Sequence, residues 1–86
     1  MVSYKGTGES SDDPIIIGGV SNNMEAVRAE YSYLSQKFGV KGVDWNLLQQ
    51  SLMGINDRMM DKMDIELSDG RKITLYFDIT EHFGSY

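Results

Sequence analysis

Apolar residues recur every three or four positions through the middle of the chain, in two successive runs. The first run consists of Met24, Val27, Tyr31, Leu34 and Phe38. The second run consists of Trp45, Leu48, Leu52, Ile55 and Met59. This spacing places each run on one face of an α-helix. The pattern therefore predicts two amphipathic helices, and the glycine-containing segment 39–43 between them is suited to reverse the chain.

Capping residues support both predicted helices. Asn22 suits the N-cap of the first helix, because Glu25 then lies at the third helical position, where its carboxylate can accept the backbone N–H of Asn22. Gly39 suits the left-handed position that follows a helix end. Asp44 is a natural N-cap for the second helix, which we expect to end near residue 60.

The C-terminal third alternates apolar and polar residues on both sides of Asp69-Gly70, which predicts a β-hairpin. A two-residue loop would pair apolar with polar residues along the whole ladder. A three-residue loop over 68–70 pairs Ile65 with Ile73 and Glu66 with Lys72, which keeps one face apolar. We therefore predict this longer loop, with Gly70 in the left-handed position of a G1 bulge.

The remaining N-terminal residues complete the predicted fold. Ile15–Ile17 is β-branched and follows Pro14, as is typical of an edge strand, but the pattern leaves open whether it joins the sheet. Residues 1–13 are polar and predict a flexible tail. Residues 14–86 then form a single small α+β domain. Its predicted architecture is a two-layer β-α-α-β-β fold, with a helical hairpin packed on one face of a small sheet that contains the C-terminal β-hairpin.

Composition narrows the classes of function. The 86 residues include no cysteine, which excludes disulfides and thiolate metal sites. Thirteen acidic and eight basic residues give a net charge of −5, which disfavours binding to a nucleic-acid backbone or an anionic membrane. No segment approaches the ~20 apolar residues of a membrane span or resembles a signal peptide. We therefore expect a cytoplasmic protein.

The only histidine, His82, follows Asp78 and Glu81 near the end of the chain. Imidazole and carboxylate groups can act as a general base or hold a divalent ion. On an extended strand, however, Asp78 and His82 share one face while Glu81 points the other way. We assign no catalytic residue, cofactor or metal site. A small metal- or ligand-binding protein or enzyme that uses these three residues remains the alternative hypothesis.

The leading hypothesis is a non-enzymatic protein-binding module, an accessory, adaptor or antagonist of another protein. One candidate surface is an acidic and aromatic sheet face with Tyr76, Glu66 and Asp78. The other is a methionine-rich helix patch of residues that lie off the two apolar stripes, namely Met53, Met60 and Tyr33. The acidic charge suits a basic partner. We expect a monomer or a weak homodimer, while a subunit that needs an oligomer is a third possibility.

Overall fold

The computed structural model describes residues 2–80 and shows one helix and one mixed five-stranded sheet in that range. The elements are β1 (Ser3–Lys5), β2 (Ile15–Gly18), α1 (Asn23–Phe38), β3 (Trp45–Ile55), β4 (Arg58–Leu67) and β5 (Lys72–Asp78). The strand order is β1-β2-β5-β4-β3. Only the pairing of β2 with β5 is parallel among the named strands. The α+β class is confirmed.

The core lies between α1 and one face of the sheet, which we call the inner face. Alternation along each strand sends apolar side chains to this face. Its fully buried members include Ile15, Ile17, Met63, Ile65 and Phe77. The opposite face, which we call the outer face, carries most of the polar side chains of β4 and β5. Residues 2–80 thus form a two-layer structure with one helix on one side of the sheet.

The prediction of the first helix is confirmed, including its N-cap. Asn22 Oδ1 accepts from the Glu25 backbone N–H at 2.9 Å. The Glu25 carboxylate accepts from the Ser21 N–H at 2.9 Å, one residue before the predicted donor Asn22. The buried face is rotated from the predicted one, because Ala26 and Ala29 face the sheet while Met24 is 67% exposed. Small alanine side chains let the helix backbone approach the sheet closely, so they define the packed face as effectively as larger residues.

The C-terminal hairpin has the predicted register. Ile65 lies opposite Ile73 and Glu66 opposite Lys72. The Leu67 N–H donates to the Arg71 carbonyl at 2.8 Å, which closes the three-residue loop. Gly70 has a φ of +91°, the left-handed conformation that this loop requires.

The predicted second helix is wrong, and with it the helical hairpin and the β-α-α-β-β order. Residues 45–67 form a second β-hairpin, β3 and β4, which turns at Asn56 and Asp57. Both turn residues have positive φ, +51° and +63°, as in a type I′ turn. A register shift between Leu47 and Gln49 adds one residue to β3. This bulge changes the alternation along the strand, and the resulting spacing of apolar residues imitates that of a helix.

Asp44 has a different role from the predicted helix cap. Its carboxylate accepts from the Val40 N–H at 2.7 Å and so closes the loop before β3. Trp45, the first residue of β3, is 1% exposed and donates its indole N–H to the Gly39 carbonyl at 2.9 Å. The loop therefore fixes the start of a strand at the point where the sequence suggested the start of a helix.

The N-terminal region contributes to the sheet. Ser3–Lys5 pair with β2, and the Tyr4 hydroxyl donates to the Ala29 carbonyl at 2.9 Å. Gly8 is buried, and its carbonyl accepts from the Tyr76 N–H at 2.9 Å. With β1 on one side and β5 on the other, Ile15–Gly18 is an interior strand, so its prediction as an edge strand is wrong. The flexibility of residues 1–13 in solution stays a prediction.

Candidate binding cleft

A cleft of about 370 Å³ opens between the N-terminal half of α1 and the β3 side of the sheet. Its lining residues come from α1, β3, β4 and the segment after β5, and they are Ala26, Val27, Glu30, Gln50, Leu52, Asp61 and Ile79. Four of these side chains are apolar and three are polar. The polar three are Glu30, Gln50 and Asp61, so the cleft combines apolar walls with a small polar group of side chains.

Two carboxyl groups meet in this cleft, and both are buried. Glu30 on α1 is 1% exposed and Asp61 on β4 is 5% exposed. Gln50 on β3 donates its side-chain N–H to Asp61 Oδ2 at 2.5 Å. Glu30 Oε2, in contrast, has no hydrogen-bond partner within residues 2–80. A buried acceptor without a donor is uncommon in folded proteins and calls for an explanation.

Burial governs the charge of this pair. Removal from water, a hydrogen bond with Asp61 and the negative charge of that carboxyl together raise the pKa of Glu30 to about 10, and removal from water is the largest of the three causes. At neutral pH Glu30 therefore holds a proton that it can donate to Asp61. A proton on Glu30 relieves the repulsion that two charged carboxyl groups at close range would feel.

The local fold explains why two carboxyls reach an interior position. Glu30 lies one helical turn after Ala26, on the face of α1 that packs towards the sheet. Asp61 lies between Met59 and Met63 on the inner face of β4, because alternate residues of a strand share a face. The sequence pattern pointed to neither residue as part of a site, because the predicted helix stripe included neither Ala26 nor Ala29 and Asp61 lay beyond the predicted end of a helix.

The predicted sheet-face residues do lie on the outer face. Tyr76 and Glu66 are half-buried there. Asp78 is 4% exposed and accepts from Arg58 Nε and the Thr80 hydroxyl at 2.6 Å each. Burial acts to raise the pKa of Asp78, but the hydrogen bonds from Arg58 and Thr80 and the charge of Arg58 outweigh it and hold the pKa below its ordinary value. Asp78 is therefore satisfied by partners within the fold.

The outer face of β3 to β5 is balanced in charge. Its three carboxylates are Asp64, Glu66 and Asp78, and its three cations are Arg58, Lys62 and Lys72. A face with equal numbers of both signs lacks the excess negative charge that we expected to attract a basic partner. Its role in binding stays a prediction.

The methionine patch is divided by the sheet. Met53 and Met60 lie opposite each other on β3 and β4, on the outer face. Tyr33 lies on α1 and packs against Tyr4 and Phe77, with ring centroids 5.1 and 5.7 Å apart. The structure therefore does not bring Tyr33 together with the two methionines. Glu81 and His82, the other residues of the alternative hypothesis, lie outside the described residues.

Comparison with protein-family models, curated proteins and solved structures finds no match to this chain. Over residues 2–80, no helix is both long and apolar enough to cross a membrane. The same part of the chain contains no group of three or more His, Cys, Asp or Glu side chains arranged to hold a metal ion.

The two edges of the sheet differ in a way that bears on binding. β1 is three residues long and contains Lys5, both of which discourage pairing with another chain. β3 is eleven residues long and contains no charged residue and no proline. Leu48 and Leu52 on this strand are 50% and 53% exposed. From Asn46 onward, β4 is its only strand neighbour in the described part of the chain.

Proposed function

We propose that this protein is a non-enzymatic protein-binding module that accepts an extended segment of a partner protein along the free edge of β3. The observation that carries the proposal is the uncharged, eleven-residue edge strand. Long edge strands in soluble proteins normally carry lysine, proline or a covering element, because an open edge pairs readily with other chains. A strand that has little of this protection is suited to controlled pairing.

Strand addition gives a physical account of affinity. In an antiparallel edge strand, every second residue directs its N–H and C=O groups away from the existing neighbour. A partner strand satisfies these groups, and its side chains fall alternately on the two faces of the sheet. On the inner side they meet exposed Leu52 and the adjoining cleft. The bulge at Leu48 is the one feature of β3 that limits its pairing with a further strand.

Charge favours a basic partner over a second copy of this chain. Each copy carries a net charge of −5, so two copies repel each other at low salt. Part of this charge lies beside β3, because the adjoining cleft is lined by the carboxyl groups of Glu30 and Asp61. A basic segment is attracted by both, and we expect its association rate to fall as salt is added.

A library of extended peptides displayed on phage tests this proposal. We expect wild-type protein to enrich peptides that alternate apolar residues with lysine or arginine. Leu48→Lys places a charge on the edge and should weaken binding of a selected peptide about tenfold or more. Val40→Lys is the matched control, because Val40 is also an exposed apolar residue, at 62%, but precedes β3. It should leave binding unchanged.

Three results would contradict strand addition. The first is a library that yields no enriched peptide. The second is equal binding by wild-type protein and Leu48→Lys. The third is loss of binding in Tyr76→Ala alone, which would assign the interaction to the outer face. Concentration-dependent dimerisation that Leu48→Lys abolishes, without peptide binding, would replace the partner segment with a second copy of the chain.

A further inference from the structure

The cleft contains a hydrogen-bond acceptor that the fold leaves unused. Glu30 Oε2 is buried and has no partner within residues 2–80, although Glu30 lines an open cleft of about 370 Å³. Gln50, a side-chain donor on β3 that also lines the cleft, donates to Asp61 instead. The described part of the fold therefore supplies no donor to this buried acceptor.

The shape and chemistry of the cleft restrict what can enter. Val27, Leu52 and Ile79 provide apolar walls, and the carboxyls of Glu30 and Asp61 provide acceptors. A divalent cation such as Ca²⁺ takes six to eight oxygen ligands, more than two carboxyls and an amide supply. A ligand with an apolar stem and a compact cationic head matches both parts of the cleft. A volume of this size lies at the lower end of the range for small-molecule sites.

We infer that the cleft is a binding site for an alkylammonium group, whose head donates to the carboxyls of Glu30 and Asp61 and whose stem lies on Val27, Leu52 and Ile79. An ammonium has three N–H donors and no acceptor, so it can satisfy Glu30 Oε2 and Asp61 together. Such a group is the end of a lysine side chain or of a free aliphatic amine. The inference does not require strand addition at β3.

A cation that binds in the cleft displaces the proton of Glu30. In the empty cleft Glu30 is protonated, because burial and the neighbouring carboxyl of Asp61 favour its neutral form. When an ammonium enters, Glu30 ionises and the proton passes to solvent. Asp61 on β4 is the only other ionisable group that lines the cleft in the described chain; Gln50 on β3 is polar but neutral. The affinity should therefore increase with pH above neutrality, up to the pKa of the amine.

An NMR titration with n-butylammonium chloride tests the inference directly. We expect saturable shifts confined to the cleft, for example at the amides of Val27, Gln50 and Leu52. Two probes separate the parts of the ligand: n-butanol has a similar stem without charge, and tetramethylammonium has the charge without N–H donors. Neither should produce the saturable pattern. Calorimetry in two buffers of different ionisation enthalpy should show about one proton released per ligand bound.

Matched variants decide whether the carboxyl pair is responsible. Asp61→Asn removes one acceptor charge and should weaken n-butylammonium binding about tenfold or more. Glu66→Gln removes the same charge from the outer face and should leave the affinity unchanged. Equal binding by Asp61→Asn and wild-type protein would overturn the inference. So would saturation by tetramethylammonium, or shifts that lie on the outer face.

A second experiment identifies whether the alkylammonium group comes from a lysine side chain or from a free amine. The comparison is between n-butylammonium and a short extended peptide with one central lysine. If the peptide binds at least tenfold more tightly and also shifts the amides of β3, the natural ligand is a lysine of a partner protein. If the two bind equally, the site recognises free aliphatic amines. Either result supports the cleft as an ammonium site, whereas failure of both probes contradicts it.

Discussion

Glu30→Gln should stabilise the protein at neutral pH, although it replaces a buried residue that can ionise. Glutamine has the shape of the protonated glutamic acid and also has an N–H donor that can face Asp61. It needs no proton to be neutral. The variant therefore retains the packing of Glu30 and removes only the ionisation that burial disfavours.

The magnitude follows from the pKa of Glu30. Its ordinary value is 4.5, and burial, together with the nearby Asp61, raises it to about 10 in the fold. Between these two values the native state holds one proton more than the unfolded state. The stabilisation by this bound proton is fully present below 4.5 and is lost as the pH rises towards 10, at about 1.4 kcal/mol per pH unit. From pH 4.5 to 7 the loss is about 3 kcal/mol.

Urea titrations at pH 5, 6, 7 and 8 measure the effect. The single tryptophan, Trp45, is buried and so reports unfolding by its fluorescence. We expect Glu30→Gln to exceed wild type by about 3 kcal/mol at pH 7 and by little near pH 5, because the difference grows with pH. Glu66→Gln makes the same replacement at a half-buried residue of the outer face and should show no such growth. A constant difference from pH 5 to 8, or a less stable Glu30→Gln at pH 7, would refute the reasoning.

Substitutions at three further positions test other parts of the fold. Asp78→Ala removes the buried acceptor of Arg58 and should lower the free energy of unfolding by about 2–4 kcal/mol at pH 7. Because the pKa of Asp78 is lowered in the fold, its stabilisation is lost as the pH falls below 3.8, so urea titrations at pH 3 should show a smaller difference. Asp57→Gly relieves a positive φ and should raise stability by about 0.5–1 kcal/mol, whereas Asp57→Val should lower it, as thermal midpoints would show. Trp45→Phe loses the indole hydrogen bond to Gly39 and part of a buried ring. Urea titrations followed by circular dichroism should show that the free energy of unfolding falls by about 2 kcal/mol.

Local signals were sufficient where alternation and turn chemistry agreed. In the C-terminal hairpin, the pairing of Ile65 with Ile73 follows from the need to keep one face apolar, and Gly70 supplies the conformation of the turn. In α1, Asn22 and Gly39 mark both ends as predicted. These features depend on contacts between residues that are close in sequence.

The first hairpin could not be predicted by the same means, because two local signals competed. The bulge near Leu48 shifts the alternation of β3 by one residue, and the resulting spacing matches a helix. Asn56 and Asp57 form the turn without the glycine that usually marks a type I′ turn. Gly54, within the predicted helix, was a signal against that prediction. Pairing with β4, which is a tertiary interaction, is what favours a strand over a helix in this segment.

The cleft had a sequence signal that was overlooked. Extending the alternation of Met63 and Ile65 back to Met59 places Asp61 on the inner face. Counting Ala26, Ala29 and Leu34 as the packed stripe of α1 places Glu30 on the same side of the helix. No pattern in one sequence shows that these two carboxyls meet, because their contact depends on how the helix lies across the sheet.

The measurement that tests the central proposal most directly is amide hydrogen exchange with and without a peptide selected on the wild-type protein. Strand addition predicts slower exchange at alternate residues of Asn46–Ile55, where free N–H groups gain acceptors, and unchanged exchange around Tyr76. Slower exchange confined to the outer face around Tyr76, with β3 unaffected, would contradict binding at the free edge.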